Sequence, residues 1–268
     1  MKRLRMSNDK LEVGSWATNE TTIELVKQAH ENAIGSMMRS GFEVRNILEV
    51  VVNPQLSFMG YTTSQGRGFR IVVSGMAVKS GMLEGLLVHE LSHVYRMQTN
   101  HPSHNQHIIE EAINGLVGRA ILEDYEQKII HELVNNIQDL YADDIAMKIF
   151  REGHLLPEEQ LSNFLQGWVK DKPMKSNDPK KGRWINAAIL VNNARAIAQM
   201  KRHKIADLGG EAIASNERLL AQLPKKVSSQ FQYFTNLMVN LKESITEEEY
   251  RRLLTDYLKK FLEITEEN

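Results

Sequence analysis

The chain has 268 residues, 42% hydrophobic and 25% charged, a globular composition that excludes a mainly disordered or fibrous protein. Lys and Arg total 33 against 34 Asp and Glu, so a net charge of −1 gives no overall pull towards nucleic acid or anionic lipid. Cysteine is absent, which excludes disulfides, thiolate metal sites and a Cys nucleophile, and leaves His, Asp and Glu as the only metal donors.

Residues 1–6 are basic but lack the apolar stretch of a secretory signal. No run of about 18 apolar residues occurs, so no membrane span is expected, and the cytoplasm is the expected compartment. Residues 19–39 carry Ile23, Val26, Ala29, Ala33, Ile34 and Met37 at helical spacing behind Thr and Asn caps, and Gly41 ends the pattern. Three β-branched or aromatic runs follow at 47–52, 56–62 and 69–73, the last two separated by Gly66-Arg67-Gly68. A small sheet is predicted, with 69–73 as an edge strand along which an extended peptide could pair.

Beyond Ser80 the pattern is helical, with helices predicted at 80–98, 104–121, 123–152, 157–170, 183–203, 210–222, 224–241 and 246–264. Pro102, Pro157 and Pro224 lie near helix starts, where proline is tolerated. Residues 171–183, with two prolines and five Lys or Arg, read as a linker. The expected organisation is a core over 1–170, that linker, and a helical region over 184–268 packed on the core. The fold class is α+β, predominantly helical.

The chemistry is concentrated in Leu86-Leu87-Val88-His89-Glu90-Leu91-Ser92-His93-Val94-Tyr95. Residues four apart on a helix share a face, so His89 and His93 can close on one Zn²⁺. Glu90, offset by one position, can act as general base beside the metal without ligating it. Random order would produce His-Glu-x-x-His roughly 0.03 times in a chain of this composition. The bland alternative, an exposed helix with two incidental histidines, fits poorly with the apolar neighbours Leu87, Val88, Leu91 and Val94.

A third protein ligand is required. Thr99 stands where the metzincin arrangement would place a histidine, and Glu110 and Glu111 have no carboxylate four residues on. In Ile137-Gln138-Asp139-Leu140-Tyr141-Ala142-Asp143-Asp144, two carboxylates at i and i+4 share a helix face. With the upstream motif, this segment resembles the gluzincin metallopeptidases, in particular the heat-shock and prenyl-protein-processing type, whose helix carries Glu-x-x-Ala-Asp. It is also similar to soluble archaeal proteins with the same signature. The resemblance covers residues 80–146 and implies a zincin-like fold, Zn²⁺, and hydrolysis of a peptide or protein substrate. It implies Asp139 as the third ligand and Asp143 as the carboxylate orienting a zinc-bound imidazole. The chain departs from the family in having Asp rather than Glu at 139 and no flanking membrane segments. The alternative for Asp139, Asp143 and Asp144 is an exposed acidic helix face.

Six of the 9 histidines fall between 89 and 131. Thr99-Asn100-His101-Pro102-Ser103-His104-Asn105-Gln106-His107 is similar to the loop that supplies a third zinc-binding His in SprT-like metallopeptidases. That resemblance implies His104 as an alternative ligand, with His101 and His107 less well placed. Tyr95, Tyr141, His107, His131 and Arg195 are eligible by type to stabilise an oxyanion, and the spacing selects none of them. Asn192, Asn193 and Arg195 interrupt an apolar helix and suggest a buried polar network. A third possibility is a non-catalytic, zinc-stabilised helical scaffold.

Overall fold

A computed structural model describes residues 13–15, 20–117 and 122–266. The basic stretch at 1–6, the Thr18 and Asn19 caps, the expected helical residues 118–121 and the acidic end at Glu267 lie outside these. The elements in chain order are β1 (Val13–Ser15), α1 (Glu20–Arg39), β2 (Ile47–Asn53), β3 (Gly60–Gln65), β4 (Gly68–Ser74), α2 (Gly75–Lys79) and α3 (Leu83–Gln98). Then follow a 3₁₀ turn (Pro102–His104), α4 (Gln106–Val117), α5 (Asp124–Gly153), α6 (Glu158–Gln166) and α7 (Pro179–Arg202). A second 3₁₀ turn (Leu208–Gly210) precedes α8 (Glu211–Leu220), α9 (Lys225–Ser228), α10 (Phe231–Val239) and α11 (Glu247–Thr265). The chain is α+β and predominantly helical, as its sequence pattern implies.

Two units organise the chain, residues 1–101 with 142–156, and residues 102–141 with 157–268. The expected boundaries at 170 and 184 are not those of the structure. The segment 171–183 lies inside the second unit, and its last five residues begin α7, capped by Asp178, whose carboxylate accepts from the Lys181 N–H. Proline at the first position of that helix, read as a linker signal, is here a helix-start signal.

In the first unit the sheet has the order β1-β2-β4-β3, with β1 and β4 parallel to β2 and β3 antiparallel to β4. Four strands replace the expected three, because the three-residue β1 adds to the row. The strand at 69–73 is internal rather than an edge; the edges among the described residues are β1 and β3. The β3–β4 turn is two residues long, between the paired Gln65 and Gly68, and Gly66 at its first position has φ 61°. Glycine adopts that conformation without steric cost, and two-residue hairpins favour residues that do. Val50 and Val52 of β2 and Ile71 and Val73 of β4 are buried, and Arg70 pairs with the buried Glu49 across the sheet. α1 packs on α3, contributing Val26, Ala33 and Met37 to a core that also holds Leu87, Leu91 and Val94.

α3 stops after Gln98 through a left-handed Asn100 (φ 52°), with the His101 N–H on the Arg96 carbonyl at 2.9 Å and the Asn100 N–H on that of Met97 at 3.1 Å. This paired reversal satisfies carbonyls that a helix end otherwise leaves open. α5 ends in the same manner at His154 (φ 49°), with the Leu155 N–H on the Phe150 carbonyl at 3.1 Å.

The second unit is a helical core built on Leu133, Ile137, Leu140, Leu190, Val191 and Ala194, closed by aromatic rings from α7, α10 and α11. Trp184 meets Phe261 edge to face at 5.4 Å between centroids, and Phe234 meets Tyr257 at 5.7 Å, the offset geometry that ring quadrupoles prefer. α11 begins at a full capping box between Thr246 and Glu249. The stretch expected as one helix at 224–241 is two, because the chain leaves α9 at Ser228-Ser229-Gln230, where serine competes for backbone hydrogen bonds. Among the described residues no helix is long and apolar enough to cross a membrane.

Candidate metal centre

α3 and α5 carry the centre. His89 and His93 lie one turn apart on α3, and their Nε2 atoms converge to 3.1 Å with the rings nearly perpendicular (83°). Two imidazoles bound tetrahedrally to one zinc at 2.0–2.1 Å would have nitrogens about 3.3 Å apart. The pair is therefore set close to the separation that a shared ion requires. Asp139 on α5 completes the group: one donor atom each from His89, His93 and Asp139 lie within 4.8 Å of one another. The fit to a three-ligand zinc site is good in residue type, count and convergence.

Asp143, one turn after Asp139 on the unbroken α5, has its Oδ1 2.7 Å from His89 Nδ1. A buried carboxylate there accepts from Nδ1–H, which fixes the tautomer and makes Nε2 the nitrogen that carries the lone pair. The α5 aspartates are thus not an exposed acidic face: Asp143 is buried and Asp139 and Asp144 are half-buried, among the buried Leu140, Ala142, Ile145 and Ala146.

Glu90 points to the sheet side of α3. It is 3% exposed, and its Oε2 accepts from the Thr62 hydroxyl of β3 at 2.7 Å. Gly60, two residues before Thr62 and on the same strand face, makes this approach possible. A Cβ there would sit 2.8 Å from the Val72 carbonyl oxygen, 3.3 Å from Leu86 Cδ2 and 3.6 Å from Glu90 Oε1.

On the second unit's side of α5, Arg195 of α7 places Nη2 2.9 Å from Asp139 Oδ2 and donates from Nη1 to Asn136 Oδ1 at 2.8 Å. Its guanidinium lies 4.6 Å above the Trp168 ring. Asn136 donates in turn to Asn192 Oδ1 (2.6 Å), and Asn192 to Glu132 Oε1 (2.8 Å). The network expected around Asn192 and Arg195 therefore exists and ends on Asp139. Asn193 is engaged separately, with both backbone groups of Lys170 and with Asn216.

The chain matches the family of unknown function DUF5781 over residues 36–263. It belongs to that family. No curated protein and no solved structure matches it. The matched span of this DUF5781 member contains α3, α5 and α7, and with them every residue of the centre.

His104 stands outside the group that the described residues assemble; its Nδ1 is 2.8 Å from the Ser103 hydroxyl. His107 pairs with Glu111 at 3.2 Å, and His131 Nδ1 lies 2.7 Å from the Gln127 carbonyl. Tyr95 packs edge-on against Phe42, and Tyr141 against Tyr250 in the second unit's core. Of the side chains eligible to stabilise an oxyanion, Arg195 contacts Asp139 of the centre. The sequence reading missed Gly60, Thr62 and Trp168. Strand alternation alone would have placed Gly60 and Thr62 on one face, but nothing local showed that this face meets α3.

Proposed function

We propose that the chain is a zinc metallopeptidase acting on a peptide or protein substrate, with His89, His93 and Asp139 as ligands and Glu90 as general base. The observation that carries this reading is the convergence of two imidazole Nε2 atoms and a carboxylate, with Asp143 behind His89. His89, His93 and Asp139 would hold the ion, which when bound would supply a Lewis acid and a water of lowered pKa. Glu90 would accept a proton from the attacking water on its carboxylate and return it to the departing amine. Thr62 holds one oxygen of that carboxylate, leaving the other to carry the proton. β3, as one edge of the sheet, offers main-chain groups along which an extended substrate can align. The proposal takes the cytoplasm as the working compartment, consistent with a cysteine-free chain.

The test is metal analysis of the purified protein, together with cleavage of a library of fluorescence-quenched peptides. Glu90→Gln is expected to retain zinc and to lose turnover by at least about 10²-fold. A wild-type protein without zinc, or a Glu90→Gln protein with wild-type turnover, overturns the reading. One observation favours a second reading, a non-catalytic zinc-stabilised scaffold: Glu90 is buried and turned onto Thr62. That reading expects a zinc-loaded wild-type protein with no peptidase activity.

A further inference from the structure

We infer that Arg195 is a positioning residue for the metal centre: by holding Oδ2 of Asp139 it restricts that carboxylate to meeting an ion through one oxygen rather than two. The inference rests on the metal reading above and goes beyond it, to how many bonds the third ligand makes.

A carboxylate can bind a metal through one oxygen or through both, and nothing intrinsic to aspartate prevents the second mode. The difference matters at a hydrolytic site, where three protein bonds leave a fourth position for water or substrate. A second bond from Asp139 would crowd that position. Arg195 is built to prevent it. Its planar fork is divided between Asp139 Oδ2 at 2.9 Å and Asn136 Oδ1 at 2.8 Å, two acceptors three residues apart on the same face of α5. Its face is stacked 4.6 Å from Trp168, and its side chain is 13% exposed. Asn136 is held through Asn192 to Glu132, so the arginine's second anchor is itself fixed. A guanidinium committed on two edges and one face has little freedom to release Oδ2.

The placement also answers a question of charge. Half-buried, Asp139 would be costly as an unpaired anion, and Arg195 compensates it before any cation arrives.

Cobalt(II) is the probe, because its visible absorption is strong when four-coordinate and weakens as coordination number rises. The full-length protein is stripped with a chelator, titrated with cobalt(II), and compared with Arg195→Met and Arg195→Lys, folding being checked by circular dichroism. Wild type is expected to give the intense four-coordinate spectrum. Arg195→Met, with Oδ2 released to the metal, should lose intensity, and Arg195→Lys, whose ammonium can still take Oδ2, should keep it. An Arg195→Met spectrum identical to wild type overturns the arginine's role while leaving the metal site standing. Equal loss in both variants overturns it as well, since packing on Trp168 rather than occupation of Oδ2 would then govern the spectrum. A wild-type protein that takes up no cobalt overturns the metal site, and this inference with it.

Discussion

Asp143→Ala removes the carboxylate behind His89 Nδ1 while leaving all three donor residues in place. Partners of metal-bound imidazoles are typically worth 10–100-fold in affinity, about 1.4–2.7 kcal/mol. At a zinc concentration about 100 times the wild-type Kd, binding stabilises the native state by about 2.7 kcal/mol. At the same concentration the variant would retain only about 0.4–1.4 kcal/mol. For a chain of this size the zinc-induced rise in Tm should shrink by roughly 3–9 °C. The assay is thermal unfolding of metal-free and zinc-loaded forms of both proteins. Taking the increment within each protein removes whatever the substitution does to the fold itself. Equal increments in the two proteins would refute the reasoning, because Asp143 would then be a buried partner of His89 with no bearing on zinc.

Gly60→Ala is expected to cost about 1–3 kcal/mol in chemical denaturation, since its Cβ would press on the Val72 carbonyl and part β3 from β4; unchanged stability would show that the strand pair gives way freely. His30 of α1 is buried with its Nε2 lacking a hydrogen-bond partner among the described residues, and burial holds its pKa at about 4. The unfolded chain, with a value near 6.5, binds this proton more readily, so stability is full above about pH 6.5 and falls as pH drops through 4, by up to about 3 kcal/mol. His30→Leu should flatten the difference in urea stability between about pH 7 and about pH 4; an unaltered difference would assign the loss to other groups.

Where the sequence carried a period or a spacing, the structure agrees closely. α1, α3, α5 and α11 fall within three residues of their expected ends, because long apolar stripes and end signals such as Asn100 and Thr246 act locally. The grouping of these side chains was legible for the same reason: His89 with His93 and Asp139 with Asp143 are each i, i+4 pairs, and a helix turns such a pair into a shared face. β1 was not legible, since Val13-Gly14-Ser15 is too short to show alternation, and five-residue α2 is too short to show a turn-by-turn stripe. The edge position of β3 was misassigned to β4 because strand order is set by pairing between distant segments. Arg195 was visible only as a polar interruption, and its partner on α5 is a matter of tertiary packing.

The hairpin between Gln65 and Gly68 has a bearing on Glu90 that its distance along the chain conceals. Its two-residue length sets Thr62 opposite Ile71 and so decides which side of the ribbon that hydroxyl occupies. Lengthening the loop by one residue, with slippage of the pairing, would exchange the two sides and offer Tyr61 or Thr63 to the glutamate instead. Loop length at residues 66–67 is therefore as much a determinant of the acid's surroundings as any side chain touching it.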